Sequence, residues 1–107
     1  MKEILTQGAF SVYHYTLFDA VTDNTGISLM ETVSPQLPYR TFYAALTTGT
    51  TATVEIQVSG DGENFMTLAI LNPLADEPDG FADLCPWPYV RAEIFSNNGT
   101  LSVTMGC

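Results

Sequence analysis

What this chain has least of is positive charge. Of 107 residues only Lys2, Arg40 and Arg91 are basic, against twelve Asp and Glu, a formal net charge of −9. That balance repels phosphate backbones and argues against nucleic acid as a partner. Histidine is scarcer still. His14, the single one, stands between Tyr13 and Tyr15 with no Ser, Cys or acid at relay spacing, and it reads as a structural side chain. The two cysteines, Cys85 and Cys107, form no CxxC or Cys/His pattern, so a zinc site has no support. They are read as free thiols in a reducing compartment. No stretch approaches the ~20 continuous apolar residues of a membrane helix. The opening MKEILTQGAF sets an acid directly after its lysine, which is not an export signal, so neither membrane nor secretion is expected.

Strand-forming residues are what the chain does have. Val, Ile, Thr, Tyr and Phe are plentiful, and glycines and prolines recur about every ten residues, the composition of short strands joined by turns. The clearest stretch runs from Thr51 to Leu71. Ala52, Val54, Ile56 and Val58 alternate with Thr53, Glu55, Gln57 and Ser59, the period-2 pattern of a strand with one wet face. Ser59 to Asn64 supplies turn residues, and Met66, Leu68 and Ile70 resume the alternation, predicting a hairpin with seven apolar side chains on one face.

Around this hairpin, residues 1–8 are expected as an edge strand or a mobile arm anchored by Ile4 and Leu5. Phe10 to Phe18 is apolar or aromatic on both faces, so something should cover its far side. Ile27 to Val33 predicts a strand, Ser34-Pro35-Gln36-Leu37-Pro38 a crossing between sheets or a run along an edge, and Tyr39 to Thr47 a strand with Phe42, Ala44 and Leu46 on one side and Tyr39 and Tyr43 on the other. Asn72 to Pro88, with five prolines and glycines and four acids, reads as a loop held down by Phe81, Leu84 and Trp87. Val90, Ala92 and Ile94, then Asn98-Gly99, then Leu101, Val103 and Met105 predict a second hairpin. Six to eight short strands, a proline-marked crossing and no helical period make one all-β domain over 1–107, an antiparallel β-sandwich of jelly-roll type.

No group of residues singles itself out as catalytic, cofactor-binding or metal-binding. Ser59-Gly60-Asp61-Gly62-Glu63-Asn64 has the Asp, Asn and Gly content of a calcium loop but lacks the ligand series and the terminal acid, and reads as a turn. The aromatic placement is more informative. Tyr39, Tyr43, Trp87 and Tyr89, with Arg91, fall on the faces opposite the aliphatic ones, and such side chains are enriched where protein surfaces meet. The same rings offer a stacking platform for a glycan.

The second half, VEIQVSGDGENFMTLAIL and FADLCPWPYVRAEIFSNNGTLSVTMG, resembles a pattern of small tailed-bacteriophage virion proteins: an S-x-DG-x-N-aromatic hairpin, then W-x-Y-V-R-A, then G-T-x-S-V. The resemblance spans Val54 to Gly106 and implies a β-sandwich in a virion. Together with the charge it leads to an expected function: a non-enzymatic decoration or cement protein, made in the host cytoplasm and carried on the outer capsid. It would contact the major capsid protein and self-associate as a trimer through Tyr39, Tyr43, Trp87, Tyr89 and Arg91, with Ile4 and Leu5 on the arm. The alternative is a carbohydrate-binding or tail-associated receptor-binding module.

Overall fold

The computed structural model describes the backbone of residues 2–7 and 10–107, and side chains from Tyr13 onward. Among the described residues no helix forms and ten strands do: β1 (Lys2–Gln7), β2 (Phe10–Val21), β3 (Gly26–Ile27), β4 (Glu31–Thr32), β5 (Tyr39–Thr48), β6 (Ala52–Ser59), β7 (Met66–Leu71), β8 (Asp79–Leu84), β9 (Tyr89–Asn97) and β10 (Thr100–Gly106). They form two antiparallel sheets. Sheet A has the order β1-β2-β10-β5-β8; sheet B has β3-β9-β6-β7, with β4 also paired to β9. Most connections cross between layers. Strands β2, β5, β8 and β10 lie in one sheet and β3/β4, β6, β7 and β9 in the other, which is the winding of a jelly roll with β1 added at an edge.

The inward faces follow the alternation of the sequence in the central strands. Phe42, Ala44 and Leu46 of β5 meet Ala52, Val54, Ile56 and Val58 of β6, Val90, Ala92 and Ile94 of β9, and Leu101, Val103 and Met105 of β10, all buried. Tyr15 and Leu17 bring β2 into the same core. Each large aliphatic side chain buried there contributes up to roughly 1.5–3 kcal/mol.

Four expectations are corrected. First, Met66 and Ile70 are about half exposed while Leu71 is buried. The β6–β7 register shifts between Ile56 and Gln57, and one extra residue in β7 flips the parity beyond it, turning Ile70 outward and Leu71 inward; Met66, before the shift, is opposite Val58 and stays half exposed at the start of the strand. Second, β9 and β10 are not a hairpin: β9 pairs with β3, β4 and β6, and β10 with β2 and β5, so Asn98-Gly99 is a corner between layers. Third, the run after Asn72 contains β8, paired to β5 along its length, with Phe81 stacked on Phe42 at 4.9 Å. Leu84 does not hold that run down; it is exposed. Fourth, the expected strand from Ile27 to Val33 is two dipeptides on β9, separated by a segment in which Leu29 is exposed. Counting β8 and the dipeptides separately, there are ten strands rather than six to eight.

The Asn98-Gly99 corner is coupled to the turn between β5 and β6. Asn98 Oδ1 accepts from the Thr50 and Thr51 amides at 2.9 and 3.1 Å, and its Nδ2 donates to Thr50 Oγ1 at 2.6 Å. Gly99 lies flat against Thr48 and Gly49; a Cβ on it would strike the Thr48 carbonyl, which is why no larger residue fits.

Candidate functional site

One end of the sandwich gathers the loop from Val33 to Pro38, the loop from Gly60 to Phe65 and the loop from Cys85 to Pro88. Prolines at 35, 38, 86 and 88 keep this backbone out of ladders, so its polar groups need other partners. Many find Arg40. By the parity of β5 it points inward with Phe42, and it is wholly buried. Its Nε donates to the Leu37 carbonyl at 3.1 Å, Nη1 to the Trp87 carbonyl at 2.7 Å and the Cys85 Sγ at 3.2 Å, and Nη2 to the Ser34 carbonyl at 3.5 Å. Two backbone bonds reinforce the tie: the Cys85 amide donates to the Pro38 carbonyl at 2.6 Å and the Val33 amide to the Pro88 carbonyl at 2.7 Å. Sequence reasoning counted Arg40 only as a charge. Its place on the Phe42–Ala44–Leu46 side of the alternation was the signal that it is buried.

The residues expected at an interface divide between the two sheets. Tyr39 and Tyr43 stand outward on sheet A and are 68% and 50% exposed. Across the register Tyr39 faces Leu84, Thr41 faces Ala82 and Tyr43 faces Gly80 on β8; on the other side Tyr43 faces Thr104 and Thr41 faces Gly106 of β10. Tyr39 and exposed Leu84 are thus directly opposed. Trp87 lies on the β8–β9 connection, its ring 3.5 Å from where a Cβ on Gly60 would stand. Because Arg40 holds the Trp87 carbonyl and follows Tyr39 in the chain, Tyr39, Leu84 and Trp87 belong to the same end.

Tyr89 and Arg91 are instead on β9 in sheet B, both half-buried. Tyr89 packs beside Met30 and Gly62. Arg91 is occupied within the molecule: Nε donates to Gln57 Oε1 at 2.8 Å, and the guanidinium sits over the Phe65 ring at 3.9 Å. Gln57 Nε2 donates in turn to Glu93 and Glu55, which are opposed across β6 and β9, and Thr67 donates to Glu55 at 2.6 Å. The outside of sheet B is therefore a connected charged surface. Ile4 and Leu5 lie outside the described side chains.

The Ser59–Asn64 turn closes on itself. Asp61 Oδ1 accepts from the Glu63 and Asn64 amides at 2.9 and 2.8 Å and from Ser59 Oγ at 2.9 Å, and Oδ2 accepts from Asn64 Nδ2 at 2.9 Å. These bonds, the Asn64 amide first, hold its carboxyl well below the usual carboxylate range. Its oxygens are committed to the turn. Among the described residues no three His, Cys, Asp or Glu converge as metal ligands. A shallow cavity of about 210 Å³ at the opposite end, lined by Asn72, Leu74, Glu77, Pro78 and Asp79, is smaller than the ~300 Å³ or more of a typical small-molecule site. Cys85 is buried and Cys107 half-buried, and the two are not joined in a disulfide.

No family model and no curated protein matches this chain. Among solved structures it is similar to the SPBc2 prophage-derived protein YomS, with a TM-score of 0.58 and 15% sequence identity over 89% of this chain and 90% of that one. At that identity the likeness is one of fold, and it extends through both sheets of the jelly roll.

Proposed function

We propose that this chain is a non-enzymatic structural protein of a tailed phage that self-associates and decorates the outer capsid, where it contacts the major capsid protein and ties neighbouring subunits together. The observation that carries this reading is the outward patch of Tyr39, Tyr43 and Leu84, three large side chains left in water on sheet A. Aromatic anchors of this kind dominate the energetics of protein contacts. Two further facts support it: the fold is similar to that of a prophage-derived protein, and a net charge of −9 suits a shell exterior better than a surface facing packaged DNA. Many weak contacts repeated over a particle add up by avidity, so no single site need be strong.

The test is to mix the purified chain with particles of the phage that encodes it and pellet them. Saturable binding at a fixed copy number per particle, reduced at least tenfold by combined Tyr43→Ala and Trp87→Ala, is the expected result. Absence of saturable binding contradicts the proposal. Saturable binding to a host-surface glycan, lost with the same two substitutions, would instead make the chain a receptor-binding module.

A further inference from the structure

Two open sheets leave four strand edges, and three of them are blunted. Strand β8 carries Asp79 and Asp83, whose carboxylates accept from the next amides, Gly80 at 2.9 Å and Leu84 at 2.8 Å. Strands β3 and β4 are dipeptides, too short to template a neighbour, and β1 carries Lys2 and Glu3. The fourth edge is β7, MTLAIL, without charge or proline. Among the described residues it pairs only with β6, and no side chain caps its backbone. The ladder shows which groups are open. The Ala52 amide donates to the Pro73 carbonyl, so Ala52, Val54 and Ile56 bond toward β7, and Pro73, Leu71 and Ala69 bond back. Ile70, between them, turns its N–H and C=O away from β6. The next outward amide, that of Asn72, is already taken by Asp79 Oδ2 at 2.9 Å, and Leu74 exchanges both its bonds with Glu77. The open stretch is therefore centred on Ile70, whose side chain is about half exposed, as is that of Met66. The extra residue at the register shift bends the strand but caps nothing.

We infer that the β7 edge takes an extended segment of another protein, laid beside Ile70 as a further strand of sheet B, apolar at its centre and with Lys or Arg at both ends. The backbone identifies the kind of partner. Ile70 offers one donor and one acceptor in the plane of the sheet, and an extended chain answers both at once. Charge identifies its sequence. Exposed Glu63 stands before the open stretch, and exposed Asp76 and Glu77 stand after it, so basic residues flanking an apolar core meet acids at each end. The same acids count against a second copy of this chain. Pairing Ile70 with its own two-fold mate would turn Glu63 of each copy toward Asp76 and Glu77 of the other, between chains already at −9. This contact lies at an edge of sheet B, apart from the outward patch on sheet A, and it does not depend on the proposed function.

The test is a titration of the isotope-labelled protein, followed by its amide shifts in NMR, with two capped peptides: Lys-Lys-Thr-Val-Thr-Val-Lys-Lys and the same core flanked by Glu instead of Lys. The expected result is saturable binding of the Lys peptide, with shift changes concentrated at residues 68–71 and slower hydrogen exchange of the Ile70 amide. The Glu peptide should bind at least tenfold more weakly. Ile70→Pro removes the outward donor and leaves the bonds to β6, a position where an edge strand tolerates proline. It should weaken binding at least tenfold, while Ile70→Thr, which keeps the N–H and a β-branched side chain, should bind within about threefold of the wild type. If Ile70→Pro misfolds, the Lys peptide methylated on its four core nitrogens decides, and it should lose binding to the same extent. The inference is overturned by no saturable binding at millimolar peptide, by shift changes centred on β1 or β8, or by equal binding of the Glu peptide. A folded Ile70→Pro, or a methylated peptide, that binds as well as its parent overturns it too.

Discussion

Replacing Arg40 by Met tests how the loop end is held. The substitution keeps an unbranched apolar stem in a site with no exposure and removes every donor. Three carbonyls, those of Leu37, Trp87 and Ser34, lose their guanidinium partner. The 2.7 and 3.1 Å bonds are the strong ones, and an orphaned buried acceptor costs about 1–3 kcal/mol. Against this stands the relief of leaving no charge in the core. That relief can cancel the loss where both members of an ion pair are replaced, but these partners are backbone carbonyls and they stay. The net loss is about 3 kcal/mol, a large share of the ~5–15 kcal/mol that stabilises a domain. With a urea slope of about 1–3 kcal/mol per molar, the midpoint falls by about 1–3 M. Urea unfolding followed by the fluorescence of Trp87, the single tryptophan, reports on the same end of the molecule. Arg40→Lys, which keeps a charge but not the planar fork, falls between. A midpoint for Arg40→Met equivalent to less than about 1 kcal/mol would refute the reasoning, and so would an equal effect of Arg91→Met, whose guanidinium is only half-buried and should be worth about 1 kcal/mol or less.

Other perturbations follow from the same geometry. Gly99→Ala forces a methyl into the Thr48 carbonyl and Gly49 and should cost about 2–3 kcal/mol in a denaturation experiment; a neutral result would mean the two corners are not in contact. Asp61 is held below the usual carboxylate range when folded, so the stability it adds is present above about pH 4 and drains as acid protonates it. Asp61→Asn should therefore flatten the acid limb of the midpoint against pH, and an unchanged limb contradicts the account. The Tyr15 hydroxyl is pushed up by burial first, then by negative charge at Cys107 and Glu31, with Arg40 opposing. Its stabilising effect is present below about pH 10 and is lost as pH rises through the raised folded value. Tyr15→Phe should remove that alkaline loss; persistence of the loss would place its origin elsewhere.

How far the sequence discloses this molecule depends on what each residue must obey. Phe42, Ala44 and Leu46, and Val54, Ile56 and Val58, obey only the two-residue period of a strand buried on one side, so their inward facing is readable directly. Ile70 also obeys that period, but the bulge near Leu68 reverses it, and nothing in MTLAIL announces an extra residue. Asn98-Gly99 marks a reversal correctly. Whether the arms of a reversal pair or part into two layers is decided by the neighbours of β9 and β10, which are distant in sequence. Strand β8 escaped because a glycine and two acids in DGFADL mask its period; its pairing to β5 is a tertiary fact. At the candidate surface, the alternation puts Tyr39 and Tyr43 outward, as found. It cannot reveal that Arg91 is taken up by Gln57 and Phe65 or that Arg40 ties two loops together, because those contacts are set by how other elements of the fold come together.

On the proposed function it is the outward patch of Tyr39, Tyr43 and Leu84 on sheet A, and not a cavity, that makes the contacts. Sedimentation equilibrium of the wild type at low and moderate salt tests it most directly. The predicted result is a self-associated species whose association tightens several-fold as salt screens the repulsion between copies at −9 each. A mass that stays at 11.6 kDa at every concentration and salt, or an association that weakens as salt is added, would contradict it.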